Sequence, residues 1–120
     1  MDALTINEAA ETTGWSPRML RYVERSGLIV PGRSDAGYRL YGAGELQRLR
    51  TLRELLERFG ISLSDVGFAR RMREDSELQE AVGAWLQAPV ARPAEVPAGD
   101  WLRWEQDKHN KLLNELMEAV

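Results

Sequence analysis

Cysteine is absent from this chain, and histidine occurs once, as His109. The first absence excludes disulfides, thiolate metal sites, iron–sulfur clusters and cysteine nucleophiles. The second leaves no imidazole pair for a His-rich metal site or for acid–base work. No cofactor and no metal are therefore expected. Lysine is scarce: Lys108 and Lys111 stand alone, and every basic residue of the first half is arginine. No apolar run approaches the length needed to span a bilayer, and the N-terminus lacks a basic-then-apolar signal. The expectation is a cytoplasmic protein with no membrane partner. Neither a Gly-rich phosphate loop nor the spacing of a catalytic triad occurs, so no enzyme is expected.

What is present is the composition of a folded protein, with 43% hydrophobic and 29% charged residues over 120 positions, enough for one domain with a small appendage. The net charge of −3 is unevenly spread. Residues 1–60 hold 9 Arg against 8 acids, and between Trp15 and Arg58 the acids fall to 5, whereas residues 61–120 hold 7 basic residues against 11 acids. A basic half joined to an acidic half suggests one part for DNA and one for something else.

Helix boundaries are legible in the sequence. Thr5-Ile6-Asn7-Glu8 has capping-box form, and the short helix after it buries Ile6, Ala9 and Ala10. Gly14 supplies a positive-φ turn. Ser16-Pro17 reads as an N-cap with proline at the first helical position, opening a helix to about Ser26 that stops at Gly27. Two short helices joined by a Gly-containing turn predict a helix-turn-helix. Leu28-Ile29-Val30 and Tyr38-Arg39-Leu40-Tyr41, separated by Gly, Ser and Asp, predict a β-hairpin wing. From Glu45 to Phe59 the leucines 46, 49, 52 and 56 recur at helical steps, with Arg48, Arg50, Arg53 and Arg58 mostly off the stripe. Ser62 to Asp65 predicts a capping box for a helix with Leu63, Val66, Ala69 and Met72 inward. Ser76 to Gln79 predicts another, with Leu78, Val82, Trp85 and Leu86 inward. Pro89, Pro93 and Pro97 make Ala88–Gly99 an extended linker. A final helix is predicted from Asp100 to about Ala119.

On the second helix Arg18, Arg21, Tyr22 and Arg25 share one face, while Leu20 and Val23 point away from it. An exposed Arg-rich face at the second position of a helix-turn-helix suits a major groove, with Arg on guanine edges or phosphate and Tyr donating to phosphate. The alternative, a solvated charged face, is weakened by the basic wing beside it, where Arg33 and Arg39 sit on the two arms.

The string Leu4-Thr5-Ile6-Asn7-Glu8-Ala9-Ala10, then Thr13 to Tyr22, Glu24 to Ile29, Gly37 to Tyr41, Leu46 to Leu49 and Phe59 to Leu63, resembles the start of MerR-family transcriptional regulators. The resemblance spans residues 3–72. It implies a mainly α fold: a winged helix-turn-helix with a small β-hairpin, a second helix-pair wing, and a C-terminal helix that makes an antiparallel homodimer. It further implies binding to double-stranded, pseudo-palindromic promoter DNA, distortion of that DNA, and action on RNA polymerase at the promoter. Carried over by position, the DNA-binding candidates are Ser16, Arg18, Arg21, Tyr22, Arg25, Arg33, Tyr38 and Arg39. Val23 departs from the pattern, because the family has a second aromatic residue there. Beyond Met72 the match fades, and the Ser76–Leu86 segment and proline linker have no counterpart in it.

The expected division is 1–72 for the DNA-binding domain, 73–99 for a short helix and linker, and 100–120 for the dimerisation helix. The dimerisation candidates are Trp101, Leu102, Trp104, Leu112, Leu113 and Leu116. Leu102, His109 and Leu116 are seven apart, as are Leu112 with Ala119 and Leu113 with Val120. His109, in a polar run, is expected to be solvated or at the dimer seam, and removal of residues 100–120 is expected to leave a folded monomer. Trp85, Trp101 and Trp104 either line a pocket for a small organic effector or pack a core; packing is the favoured reading, and a protein effector is the other regulatory route. Besides a promoter regulator, the features fit an excisionase-like DNA-bending protein, or an adaptor without DNA binding, against which Arg21, Tyr22 and Arg39 argue.

Overall fold

The computed structural model describes residues 2–62 and 64–118. Its order is β1 (Ala3–Leu4), α1 (Ile6–Thr13), α2 (Pro17–Arg25), β2 (Gly32–Arg33), β3 (Arg39–Gly42), α3 (Ala43–Arg58), α4 (Asp65–Glu74), α5 (Ser76–Gln87), a 3-10 turn (Ala98–Asp100) and α6 (Trp101–Glu118). The mainly helical fold and its winged helix-turn-helix are as the sequence predicts. The Thr5 hydroxyl accepts from the Glu8 amide and the Glu8 carboxylate accepts from the Thr5 amide, closing the capping box of α1. Gly14 takes φ 78° and turns the chain into α2, whose first turn is capped by Ser16 Oγ accepting from Met19 N at 3.0 Å.

The hairpin differs from its predicted form. Leu28-Ile29-Val30 is not the first arm. The amides of Leu28 and Ile29 donate back to the Val23 carbonyl, and both side chains enter the core while Val30 stays exposed. The chain reaches β3 only at Gly32, pairing Gly32 with Leu40 and Arg33 with Arg39. On the other edge of β3, β1 pairs Ala3 with Gly42 and Leu4 with Tyr41, a strand too short to leave a periodic signal.

The leucines of α3 at 46, 49, 52 and 56 are all buried. Helix α4 starts at Asp65 with Ser64 as its cap, not at Ser62. Phe68 is the buried residue and Val66 is 64% exposed, because two helical residues lie about 200° apart and the true start turns a different face inward. Leu63, expected inward, lies outside the described residues, as do Ala119 and Val120. Helix α5 is capped by Asp75, whose Oδ1 accepts from Leu78 N at 3.0 Å, so the predicted box at Ser76 is displaced by one residue. Leu78, Val82 and Trp85 are buried, but Leu86 is 42% exposed.

The proline segment is fastened to the domain and is not extended throughout: the Val96 amide donates to the Pro93 carbonyl at 3.1 Å, Val96 is buried, and Ala98 begins the 3-10 turn. The Gln47 amide donates to Ala91 O at 2.7 Å and accepts from Ala91 N at 3.1 Å. Arg48 donates to the Ala88 and Leu86 carbonyls and stacks over the Trp85 ring. Helix α6 then lies along α3 and α1 of its own chain. It inserts polar groups into the interior: Glu105 and His109 have no exposed surface. The Glu105 carboxylate accepts from Arg50 Nε at 2.9 Å and from the Trp101 indole at 3.2 Å. His109 Nε2 lies 2.6 Å from Leu46 O. A carbonyl only accepts, so Nε2 carries the proton. The solvated or dimer-seam placement of His109 is thus overturned, because α3 rises to meet that face of α6. His109 is turned to α3 and Leu102 packs against the core, so this part of the heptad spacing reflects packing within the chain.

Candidate nucleic-acid interface

Helix α2 is anchored by Met19, Leu20 and Val23, all buried, and this fixes which face is left to solvent. That face carries Arg18, Arg21 and Arg25, all exposed. Ser16 is exposed, and its hydroxyl is engaged as the helix cap. Arg18 reaches Asp65 at the start of α4, Nε to Oδ2 3.3 Å, while its side chain remains 77% exposed. Such a solvated pair is weak and leaves the guanidinium available. Tyr22 is less free than its sequence position suggests. It is half-buried, with its ring edge-on to Phe68 at a centroid distance of 5.9 Å. Its ring therefore joins α2 to α4, and only its outer edge belongs to the Arg face.

The wing lies beside the same helix. Tyr38 is 70% exposed at its tip, next to the turn that Gly37 makes at φ 89°. Arg33 and Arg39 are both held by one residue, Glu24 on α2. Arg33 Nη2 meets Glu24 Oε2 at 2.8 Å and Arg39 Nε meets Glu24 Oε1 at 2.5 Å. The Arg39 hydrogen bond leads the causes that hold the Glu24 carboxyl below its usual range, and its modest burial opposes them. Glu24, which holds both wing arginines, is not among the candidates read from the sequence. The available signal was its isolation, as the one acid on an otherwise cationic helix. Between the start of α1, α2 and the wing lies a cleft of about 440 Å³, whose lining includes Thr5, Asn7, Arg21, Tyr38 and Arg39. Of the eight candidate residues, Arg21, Arg33, Tyr38 and Arg39 line this cleft, whereas Arg18 reaches toward α4 and the Tyr22 ring packs on Phe68.

The dimerisation candidates lie apart from this cleft, on α6. Trp101, Leu102, Trp104, Leu112, Leu113 and Leu116 are each half-buried within their own chain. Leu113 packs against Gly14 in the helix-turn-helix turn, and the Arg50 and Lys108 cations lie over Trp104. Trp85 of α5 is buried beneath Arg48 of α3. Trp85 belongs to the core, Trp104 lies under two cations, and Trp101 donates its indole N–H to Glu105. Among the described residues no helix is long and apolar enough to cross a membrane, and no group of three or more His, Cys, Asp and Glu side chains gathers as a metal site.

Comparison with known proteins finds the same stretch. An uncharacterized HTH-type transcriptional regulator of Pseudomonas aeruginosa is 37% identical over 79 residues, covering 65% of this chain and 59% of its own. Heavy metal-dependent transcription regulator 2 of Rhizobium meliloti is 38% identical over 64 residues, covering 52% and 43%. A putative heat shock protein, HspR, of Streptomyces coelicolor is 34% identical over 89 residues, covering 74% and 54%. The chain spans about half the length of the curated relatives it matches. No solved structure matches. The model of the MerR HTH family of regulatory proteins matches residues 4–68, more than half of the 120 and running from β1 to Phe68 of α4. With its helix-turn-helix, its wing and that match, the chain belongs to the MerR HTH family.

Proposed function

We propose that this protein is a DNA-binding transcription regulator that docks α2 into the major groove of a pseudo-palindromic promoter site, binding as a homodimer and distorting the duplex. The observation that carries the reading is the exposed set Arg18, Arg21 and Arg25 on a helix whose other face is locked into the core, flanked by a wing bearing Arg39 and Tyr38. In this arrangement Arg21 reads base edges, Arg18 and Arg39 hold phosphates, and Tyr38 at the wing tip follows the backbone.

The homodimer is supported by reach. One recognition helix covers only a few base pairs, and two-fold symmetry places two on the same face of the duplex. Helix α6 is the element assigned to pairing, through the outward edges of Trp101, Trp104, Leu112 and Leu116, while Leu102, Glu105, His109 and Leu113 bind it to its own domain. RNA polymerase at the promoter is the partner that distorted DNA would serve. The metal dependence named for the Rhizobium relative is not extended to this chain, which has no thiolate to offer a soft metal. Regulation falls instead to a protein partner or a small organic ligand.

Selection of bound duplexes from random DNA, followed by footprinting, tests the reading. One symmetric site is the expected result. A continuous filament along the duplex favours the architectural, excisionase-like role, and no enrichment of any sequence overturns DNA recognition altogether.

A further inference from the structure

We infer that Glu24 sets the DNA specificity of the wing: it makes Arg33 a strut and Arg39 the phosphate ligand, and it removes one positive charge from the binding face. The inference rests on the DNA-binding reading above. The two arginines face each other across the hairpin, being register partners in β2 and β3. Equal sequence positions would make them equal contacts, but their donors are used differently. Arg33 gives Nη2 to Glu24 and Nη1 to the Gly37 carbonyl at 3.2 Å, so both ends of its fork are engaged in tying the hairpin turn to α2. Arg39 gives Glu24 its Nε, at 2.5 Å, and no hydrogen bond engages its Nη groups among the described residues. Arg39 lines the cleft with Arg21, Thr5 and Asn7. A guanidinium fixed through Nε has little rotamer freedom left to lose when its Nη pair meets a phosphate, which favours a phosphate held at one place over phosphates met at random.

The carboxylate also acts by its charge. Three groups carrying two positive charges and one negative charge present a net +1 to the duplex. Non-specific binding depends on how many phosphates are neutralised, whereas specific binding depends on register. Glu24 is therefore a positioning residue that lowers non-specific affinity and raises operator affinity through one set of contacts.

The test uses the full chain and two duplexes of equal length, the selected operator and a scrambled one, titrated over a range of salt. Glu24→Gln keeps the shape and one acceptor but not the charge. Its operator-to-scrambled affinity ratio is expected to fall at least tenfold, with tighter scrambled binding and a salt slope steeper by up to about one. Arg39→Ala is expected to lower the slope by about one on both duplexes, and Arg33→Ala to weaken the operator with a smaller change in slope. In the Glu24→Gln, Arg39→Ala double variant the operator loss is expected to be less than the sum of the single losses, since Glu24 acts through Arg39. Thermal unfolding of each variant shows whether the fold persists; Arg39→Lys, which keeps the charge but not the Nε contact, gives the same comparison should Glu24→Gln not fold. An unchanged ratio in Glu24→Gln, additive losses, or an Arg39→Lys that equals wild type overturns the inference. Wild-type protein that prefers no duplex overturns the DNA-binding reading instead.

Discussion

Arg50 of α3 and Glu105 of α6 form an ion pair that closes the C-terminal helix onto the domain, Nε to Oε1 2.9 Å, with no surface of Glu105 left exposed. Gln47 and Trp101 add donors to the same carboxylate. Removing one partner of such a pair leaves the other charge buried without compensation. Arg50→Ala is expected to destabilise the fold by about 3–5 kcal/mol in urea denaturation. Arg50→Met combined with Glu105→Leu is expected to lie closer to wild type, because no charge is left buried and only the Gln47 and Trp101 donors lose an acceptor. Equal losses in the two variants would show that the pair contributes through shape alone.

His109 gives a signed pH dependence. Burial holds its imidazole down at about 4, against an ordinary 6.5; the nearby Arg53 and Arg50 push the same way, while the Leu46 hydrogen bond and Glu105 oppose. The unfolded chain takes up this proton as pH falls below about 6.5, and the folded chain takes it up only near 4. Stability supplied by the neutral ring is therefore complete above 6.5 and is lost on acidification toward 4, at up to about 1.4 kcal/mol per pH unit. His109→Gln keeps an N–H donor for Leu46 O and does not titrate. Between pH 7 and pH 5, wild type is expected to lose about 2 kcal/mol more than this variant. Parallel losses in the two proteins would mean that the ring is not held neutral by the fold.

Gly14 couples the helix-turn-helix turn to α6. Its φ of +78° disfavours any side chain, and a Cβ there would lie 2.7 Å from a Leu113 methyl and 3.1 Å from Arg53 Nη2. Gly14→Ala is expected to cost about 2 kcal/mol or more, part from backbone conformation and part from overlap. Leu113→Ala in the same chain relieves the overlap, so the double variant is expected to lose less than the sum of the single losses. Strict additivity, measured by denaturant midpoints, would place Leu113 away from the turn.

Arg21 is exposed on the anchored helix α2, so under the proposed function Arg21→Ala is expected to leave the unfolding transition in place while weakening operator binding by about 1–3 kcal/mol. Fluorescence anisotropy against the operator and a scrambled duplex measures it. Equal weakening on both would assign Arg21 to phosphate and not to a base edge.

The sequence alone predicts that removal of residues 100–120 leaves a folded monomer. The structure changes that expectation. Without α6, the Leu46 carbonyl loses the His109 ring and Arg50 loses its buried partner. The truncated chain is expected to unfold at lower temperature than the full chain, as read by circular dichroism.

The local elements of this protein were determined by its sequence, because their causes lie within four residues of one another. Thr5 and Glu8 cap each other, Ser16 and Pro17 open α2, Gly14 and Gly27 take the left-handed turns, and leucines at helical spacing bury one face of α3. The Arg face of α2 followed from the same periodicity. What the tertiary structure alone decided is which polar groups are inside and what they touch. Arg50 meets Glu105 across 55 residues, His109 meets Leu46 across 63, and Arg53 donates to Thr13 across 40. Amphipathic reading places charged side chains outside, and nothing local to Glu105 or His109 marks a partner on a helix half the chain away. Glu24 shows the same limit at shorter range: its position on α2 is visible in the sequence, but its grip on Arg33 and Arg39 exists only because the hairpin folds back beside the helix. A buried charge is tolerated only where the fold delivers its complement, and that delivery is a property of packing.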